Sequence, residues 1–356
     1  MYRVDAGDGD ASCGKVVAMR VLAVEHPSFM LHQQRLWHPE RPDRLIAARE
    51  GLELAPVEIV EATAEPVDEE LLSTLHTPEY IAAIEGFCAA GGGDLDADTY
   101  AVAETWEAAL RSAGAGPLAV RRLQTGEADA AFCLVRPPGH HALSNRAMGF
   151  CIFNNAALTA RFLADQGQKV AIVDWDVHHG NGTQELFVTD GRVLYISLHQ
   201  FPYYPGGGWL DEMGYGPGAG RNLNIPVPGG TNGDVYREAF RRVVLPVTRQ
   251  FAPDWLLVSS GYDAHRDDPL ADVMLIESDY AYMANSLVEL VPAGRTVVFL
   301  EGGYDVNAIR ASVSATFSGL AGVIDPGAAP HGDSEPAAWR SLELAEKAAA
   351  EFWEVR

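Results

Sequence analysis

The sequence has few cysteines, and their spacing is not that of a disulfide-rich protein or of a cysteine-based metal site. Cys13, Cys88, Cys133 and Cys151 lie far apart, and no two of them form a Cys-x-x-Cys pair. This spacing excludes a disulfide scaffold and a cysteine-ligated zinc ribbon. We expect four reduced thiols in a cytoplasmic protein.

Basic residues are also scarce. The 356 residues include 26 lysines and arginines against 49 aspartates and glutamates, so the formal net charge is −23. A surface of this sign repels phosphate backbones and anionic lipid headgroups, which argues against nucleic acid and membranes as partners. No apolar run approaches the roughly 20 residues of a membrane-spanning helix. The first residues, MYRVDAGDGDASCG, lack the basic and apolar regions of a secretory signal.

The chain does contain a regular alternation of apolar runs and helical patterns. Six apolar runs predict strands that are buried on both faces of a parallel sheet, at 20–24, 131–135, 170–174, 193–198, 255–260 and 296–300. Helical periodicity occurs between them, at 103–124, 154–166, 234–250 and 278–291. This alternation predicts an α/β fold with right-handed crossovers.

The ends of the chain differ in composition from the rest. Residues 1–19 are predicted to be a disordered leader, and either Met1 or Met19 is the true start. Residues 20–324 are predicted to form one folded domain. Breaker-rich residues and then a helical pattern at 338–356 follow, so 325–356 are predicted to be a linker and a C-terminal helix packed on the same domain.

Polar and glycine-rich clusters follow five of the predicted strands. They are RPPGHHA (136–142), DWDVHHGNG (174–182), SLHQFPYYPGGG (197–208), GYDAHRDDP (261–269) and EGGYD (301–305). Parallel sheets bind ligands beyond the carboxyl ends of their strands. The five clusters are therefore expected to meet in one crevice.

Two of these clusters contain candidate metal ligands. Asp176 and His178 are two residues apart on a predicted extended segment, so their side chains point to one side, and Asp263 can supply a third ligand. Two carboxylates and an imidazole suit a divalent cation with an open position, and the set allows Zn²⁺, Fe²⁺ or Co²⁺. Taken singly, each residue is as well explained as a strand-end cap or a core histidine. A second ion near His199 and His265 is the weaker alternative to a hydrogen-bonding role for them.

The adjacent His140 and His141 are candidates for proton transfer, because histidine titrates near neutral pH. Asp174 and Asn181 are the nearby acceptors for their second ring nitrogens. The alternative for such a pair is a turn with two exposed rings.

Aromatic residues in these clusters are candidates for contacts with a substrate. Tyr304 follows two glycines, and its phenol could donate a hydrogen bond to a carbonyl oxygen. Phe150 and Tyr204 are flanked by turn residues and could line an apolar slot. The alternative for Phe150 and Tyr204 is a place in the core.

Together these motifs resemble the histone deacetylase superfamily, most closely its class II branch and the bacterial amidohydrolase relatives. The resemblance runs from about residue 21 to 322 and includes HPERPDRL (38–45), GFCIFNNAA (149–157), DWDVHHGNGTQELF (174–187) and LEGGY (300–304). It implies an arginase–deacetylase fold, a single domain with a central eight-stranded parallel sheet flanked by helices. It also implies a zinc-dependent amidohydrolase that deacylates N-acyl amines such as acetyl-lysine.

The resemblance also implies two cation sites. The zinc ligands would be Asp176, His178 and Asp263. A structural potassium ion would lie near Asp174, Asp176 and His178, together with the 197–198 region.

The resemblance further implies the catalytic groups. His141 would be the general base, and His140 would be its electrostatic partner, hydrogen-bonded to Asp174. Asn181 would orient His141, where class I enzymes carry an aspartate. Tyr304 would stabilise the tetrahedral oxyanion.

For the substrate, the resemblance implies an acyl-lysine tunnel. Phe150 and Tyr204 would flank it, and the carbonyl of Gly149 would lie at its floor. Tyr204 departs from the phenylalanine usual at that position. Asp98, or Asp96 two residues earlier, would orient the substrate.

Other functions remain open. The superfamily includes acetylpolyamine deacetylases, and the eukaryotic polyamine-selective enzyme carries a glutamate where this chain has Leu270. An apolar Leu270 favours an acyl-lysine or a neutral amide over a polyamine, and a small-molecule N-acyl substrate is a further alternative. Less favoured are a dimanganese ureohydrolase and a catalytically silent acyl-binding protein. The sequence does not predict an oligomeric state.

Overall fold

The computed structural model describes residues 19–33, 37–324 and 332–355. The strands in this part of the chain are β1 (Arg20–Glu25), β2 (Glu58–Thr63), β3 (Gly92–Asp94), β4 (Tyr100–Val102), β5 (Ala130–Cys133), β6 (Val170–Asp174), β7 (Val193–Gln200), β8 (Asn222–Val227), β9 (Trp255–Ser260) and β10 (Thr296–Leu300).

The α-helices in the same residues are α1 (Ser28–Leu31), α2 (Asp43–Leu54), α3 (Glu69–Leu72), α4 (Pro78–Ala89), α5 (Thr105–Gln124), α6 (Asn155–Ala164), α7 (Asn181–Phe187), α8 (Gly233–Ala239), α9 (Leu245–Phe251), α10 (Glu277–Leu287), α11 (Val306–Leu320) and α12 (Pro336–Ala349). A 3₁₀ turn lies at Gly216–Gly218, and a π-helical turn at Phe240–Val244.

Eight strands form one parallel sheet in the order β2-β1-β5-β10-β9-β6-β7-β8. The remaining pair, β3 and β4, forms a small antiparallel hairpin. The predicted α/β fold with an eight-stranded parallel sheet is therefore confirmed. The six strands predicted from apolar runs are the six inner strands of this sheet, because those strands are covered on both faces.

The two strands of the eight-stranded sheet that the apolar runs did not predict lie at its edges. Strand β2 has the sequence EIVEAT, and most of its side chains are partly or fully exposed. Strand β8, NLNIPV, is buried but carries two asparagines and a proline, and α12 packs against it. Neither strand has the uniformly apolar sequence of an inner strand, so the pattern did not reveal them.

Two predicted helices differ most in extent, and the helix predicted at 278–291 also ends earlier than predicted, at Leu287. The helix predicted at 234–250 is divided into α8 and α9 by the π turn, and Pro246 lies in the first turn of α9. Proline donates no amide hydrogen bond, which favours a change of helical pairing just before it. The helix predicted at 338–356 ends earlier, at Ala349, and the indole of Trp353 then donates a hydrogen bond to the carbonyl of Gly220 (2.8 Å).

The sheet register places the carboxyl ends of the central strands together. Asp174 at the end of β6 lies beside Ser259 of β9, and Leu300 at the end of β10 lies beside Ser260. The loops after these strands therefore leave the sheet at one edge, as expected for a parallel α/β fold.

Two further predictions concern features outside this edge. Cys88, Cys133 and Cys151 are buried free thiols, and Cys13 lies outside the described residues, as do 1–18 of the predicted leader and 325–331 of the predicted linker. Among the described helices, none has the length and apolar character needed to cross a membrane.

Candidate active site

Three side chains at the carboxyl edge of the sheet form a compact group of metal-ligating type. Asp176 and His178 lie in the loop after β6, where the chain bends at Val177 and His178 and does not continue as the predicted extended segment, and Asp263 follows β9. Nδ1 of His178 is 3.2 Å from Oδ1 of Asp176 and 3.1 Å from Oδ2 of Asp263. One ligand atom of each residue lies within 4.8 Å of the others, and no second such cluster occurs among the residues that the structure describes.

The chemistry of this group fits a divalent cation. Both carboxylates are completely buried, and backbone amides of Gly302 and Val177 donate to one oxygen of Asp176 and Asp263 respectively (2.7 and 2.9 Å). Burial and the neighbouring Asp176 raise the pKa of Asp263 above its usual value. Two adjacent carboxylates in the interior are costly unless a positive charge compensates them. The other oxygen of each carboxylate and the imidazole of His178 are suitable ligands for a cation that would supply this positive charge.

His140 and His141 lie in the turn after β5, and their environments differ. Nδ1 of His140 donates to Oδ2 of Asp174 (3.1 Å), which also accepts the hydroxyl of Tyr195 (2.8 Å). Burial disfavours the charged imidazole, but Asp176 and Asp174 outweigh burial and raise the pKa of His140 to about 10. Burial and the positive charge of His140 hold the pKa of His141 well below 6.5. One ring is therefore kept charged and the other neutral.

Asn181 determines the tautomer of His141. Nδ1 of His141 donates to Oδ1 of Asn181 (2.8 Å), because a carbonyl oxygen can only accept. The lone pair of His141 is therefore on Nε2. The amide nitrogen of Asn181 in turn donates to Sδ of Met148 (3.4 Å), which holds the asparagine oxygen toward the ring.

Glu301 holds the histidine turn in place, and sequence reasoning did not select it. Its Oε2 accepts the backbone amides of Gly139 (2.8 Å) and His140 (3.2 Å), and its Oε1 accepts the hydroxyl of Ser259 (3.1 Å). Burial raises the pKa of Glu301 to about 7. The signal in the sequence was its position at the end of β10, directly before two glycines.

A pocket of about 310 Å³ opens onto this group of side chains. Its lining comprises eight residues that the sequence suggested and one that it did not, Tyr203. The lining residues are Asp98, His141, Gly149, Phe150, His178, Tyr203, Tyr204, Leu270 and Tyr304. A pocket of about 530 Å³ between β1, α2 and β2 is larger, but none of these side chains lies in it.

Gly149 and Phe150 form one wall of the pocket through an unusual backbone. Both have positive φ, 55° and 68°, and a Cβ on Gly149 would lie 2.3 Å from the ring of His141. Only glycine allows this close approach. The amide of Phe150 donates to Oγ1 of Thr99 (3.0 Å), and its ring lies edge-on to that of Tyr304, 5.7 Å away.

The two aspartates that the sequence left open occupy different places. Asp98 lines the pocket and accepts the hydroxyl of Thr99 (2.9 Å). Oδ1 of Asp96 instead accepts the backbone amides of Asp98 (3.0 Å) and Thr99 (2.7 Å), which holds the loop. The geometry therefore favours Asp98 for contact with a ligand.

Tyr304 extends from the Gly-Gly loop after β10. Burial, followed by the charge of Asp263, raises the pKa of Tyr304 well above 10, so the phenol keeps its proton at neutral pH. Nε of Arg44 donates to the carbonyl of Gly303 (2.5 Å), and its guanidinium lies 5.1 Å from the centre of the Tyr304 ring.

His199 and His265 have hydrogen-bonding places instead of a shared cation cluster. His199 bonds to the hydroxyl of Ser197 (2.9 Å) and donates to the carbonyl of Gly208 (2.9 Å). Nδ1 of His265 accepts the amide of Asp267 (3.2 Å).

Comparison with known proteins identifies the family. The sequence model for the histone deacetylase domain matches residues 38–320. The chain belongs to the histone deacetylase family. Membership of this family establishes the activity class. The protein is an amidohydrolase of deacetylase type that acts on acylated substrates.

Among the similar proteins is histone deacetylase 15 of Arabidopsis thaliana, 40% identical over 324 residues, which cover 89% of this chain and 58% of that protein. A probable deacetylase of Archaeoglobus fulgidus is 38% identical, with 80% of this chain and 81% of that one covered. The crystal structure of the HDA15 HD domain superposes with a TM-score of 0.85 at 37% identity, over 94% of this chain and 95% of that chain. The chain thus spans little more than half the length of the Arabidopsis protein.

Proposed function

We propose that this member of the histone deacetylase family is a zinc-dependent enzyme that removes acyl groups from acetyl-lysine or a similar acyl-lysine. The observation that carries the proposal is the 310 Å³ pocket, in which two aromatic rings, of Phe150 and Tyr204, approach a neutral imidazole, His141, and a protonated phenol, Tyr304. Aromatic walls suit the methylene chain of a lysine, and the imidazole and phenol suit hydrolysis of an amide.

Asp176, His178 and Asp263 would hold the ion. Zn²⁺ is our choice, and Fe²⁺ and Co²⁺ suit the same donors. When bound, the ion would polarise the acyl carbonyl and make a water molecule more acidic. We also propose the potassium site that the resemblance implies, with Asp174, Asp176, His178 and the 197–198 region. In its support, Asp174 and Ser197 are paired neighbours on β6 and β7.

The histidine pair would perform the proton transfers. His141, neutral and with its lone pair on Nε2, would accept a proton from the attacking water and pass it to the leaving amine as the carbon–nitrogen bond breaks. The charged His140, held by Asp174, would stabilise negative charge as it develops on the substrate. Asn181 would keep His141 in the reactive tautomer.

Tyr304 would donate a hydrogen bond to the oxyanion that forms when water adds to the acyl carbon. Its raised pKa supports this role, because the phenol must carry its proton to donate it. Asp98 would orient the substrate at the mouth of the pocket, and the carbonyl of Gly149 would lie at its floor. Leu270 would form part of the wall.

A substrate panel tests the proposal. Acetyl-lysine peptide, longer acyl-lysine peptides, acetylspermidine and acetylputrescine would be assayed with wild type and with Tyr304→Phe, and metal content would be measured on the same samples. We expect cleavage of a lysine amide with about one zinc per chain. Tyr304→Phe should lower turnover about 100- to 1000-fold with unchanged zinc, because one oxyanion donor is lost.

Each other outcome of the panel has a definite meaning. Full turnover by Tyr304→Phe would refute the oxyanion role. A preference for acetylpolyamines would overturn the use of Leu270 as a sign of acyl-lysine. Two metal ions per chain would favour a ureohydrolase, and metal binding without turnover on any substrate would favour a specialised amide or an acyl-binding protein.

The domain limits and the compartment stay predictions. We propose that 20–324 form the deacetylase catalytic domain and that the C-terminal helix belongs to the same unit, in support of which α12 packs against β8. We keep the cytoplasm as the proposed compartment.

A further inference from the structure

Asp268 is a nearly buried carboxylate that the mechanism above does not use. It lies in the loop after β9, five residues beyond Asp263, and 7% of its surface is exposed. Its Oδ1 accepts the backbone amide of Leu270 (3.0 Å). Its Oδ2 accepts the amide of Tyr304 (2.7 Å) and, at longer distance, that of Asp305 (3.4 Å).

These hydrogen bonds join two separate loops at the pocket. Leu270 and Tyr304 both line it, and they follow different strands of the sheet. The backbone of Leu270 has a second hydrogen bond in this region, because the hydroxyl of Tyr203 donates to the carbonyl oxygen of Leu270 (2.6 Å). The Gly-Gly loop before Tyr304 is held from its opposite side by Arg44. Asp268 is thus the link between the pocket wall and the phenol.

We propose that Asp268 is a positioning residue for deacylation, which through its two carboxylate oxygens fixes Tyr304 at the reacting carbonyl and Leu270 in the pocket wall. The inference rests on the oxyanion role proposed for Tyr304. It assigns no contact between Asp268 and the substrate.

The chemistry of the link requires a carboxylate. Pro269 separates Asp268 from Leu270, and the bond from the Leu270 amide to Oδ1 closes a turn that asparagine forms equally well. Asparagine, however, has one acceptor atom. In Asp268→Asn the side-chain NH₂ group, a donor, would face an amide donor of Tyr304 or Leu270, and that contact would become repulsive. Burial and then repulsion from Asp263 raise the pKa of Asp268 to about 7, so the ionised form, which accepts through both oxygens, predominates only above neutral pH.

The test is a double-mutant cycle with the full chain loaded with zinc. Turnover of the preferred acyl-lysine peptide would be measured for wild type, Asp268→Asn, Tyr304→Phe and the double variant. The assay would be run at about pH 8, because the ionised form of Asp268 predominates there. We expect Asp268→Asn to lower kcat about 10- to 100-fold in the wild-type background and less than about threefold in the Tyr304→Phe background. The displaced Leu270 should raise KM in both backgrounds.

The matched control is Asp267→Asn. This neighbouring aspartate has a side chain that is 63% exposed and lies 3.9 Å from Arg266, away from the pocket. We expect its kcat to stay within about twofold of wild type. Zinc content and thermal unfolding would be recorded for every variant, because a general loss of structure would change these quantities and kcat together.

The outcomes separate the inference from the proposed function. Equal fold-losses from Asp268→Asn in the two backgrounds, or an unchanged kcat, would overturn the positioning role. If Tyr304→Phe itself keeps full turnover, the oxyanion role fails, and the inference fails with it. Should Asp268→Asn not fold, the same cycle would be run with Asp268→Ser, whose hydroxyl can replace only part of the link, and the same criterion applies.

Discussion

The replacement of Glu40 by glutamine tests a buried ion cluster behind the active site. Oε2 of Glu40 accepts Nη2 of Arg136 (2.6 Å), and Oε1 accepts Nη1 of Arg44 (2.9 Å). All three side chains are completely buried. Arg44 also donates to the carbonyls of Gly303 and Glu301, so the cluster supports the loop that carries Tyr304.

The size of the effect follows from the pKa of Glu40. Burial alone would raise this pKa, but Arg136 and Arg44 outweigh burial and hold it at about 2, against 4.5 for an unperturbed glutamate. A difference of this size corresponds to about 3 kcal/mol of stability at neutral pH. Loss of one partner from a buried ion pair costs about 3–5 kcal/mol in other proteins. We expect Glu40→Gln to lower the free energy of unfolding by a similar amount.

The pH dependence has a definite sign. Because the pKa of Glu40 is lower in the folded state, its contribution is complete above about pH 4.5 and is lost as the pH falls toward 2. At about pH 3.5 the wild type should have lost about 1 kcal/mol of it. Glutamine does not titrate. The stability gap between wild type and Glu40→Gln should therefore narrow by that amount between about pH 6 and pH 3.5.

Urea unfolding followed by tryptophan fluorescence measures both quantities. The matched control is Glu50→Gln, since Glu50 pairs with Arg310 at the surface and the side chains are 45% and 37% exposed. An exposed pair contributes about 1 kcal/mol at most. If Glu40→Gln costs no more than this control, or if the gap to wild type does not narrow in acid, the reasoning about the cluster is wrong.

Two further substitutions test the pocket and the metal group. A Cβ on Gly302 would lie 2.0 Å from Oδ2 of Asp263 and 2.5 Å from Oδ2 of Asp176, so Gly302→Ala should lower both bound zinc and activity by roughly tenfold or more, as expected when ligands are displaced. The control is Gly86→Ala in a helix, where a Cβ meets open space, and it should keep both zinc and activity. Equal zinc contents in the two variants would contradict this prediction. Leu270→Glu places a carboxylate in the pocket wall, so it should raise the ratio of kcat/KM for acetylspermidine to that for acetyl-lysine about tenfold. The neutral Leu270→Gln should leave this ratio unchanged. An equal rise of the ratio in both variants would exclude an effect of charge.

Much of the fold followed from local patterns. The inner strands of the sheet are apolar throughout because both faces are covered, and this pattern is visible along the chain without any knowledge of neighbours. Strand β2 carries two glutamates and is mostly exposed at the sheet edge, and β8 packs against α12, which is far away in sequence. Their place depended on contacts that no short window of residues contains.

The candidate site divides in the same way. The sequence by itself determined the chemistry at the carboxyl ends of the strands, because a run such as DWDVHHG or EGGYD states which donors and acceptors follow each strand. Which of them meet was decided by the register of β6, β9 and β10. Only the tertiary structure distinguished Asp98 from Asp96 and showed Asp268 between Leu270 and Tyr304. The physical reason is that a hydrogen bond requires a donor–acceptor distance correct to a few tenths of an ångström and a suitable angle. The loops that carry these groups reach this geometry only when they pack together from separate strands.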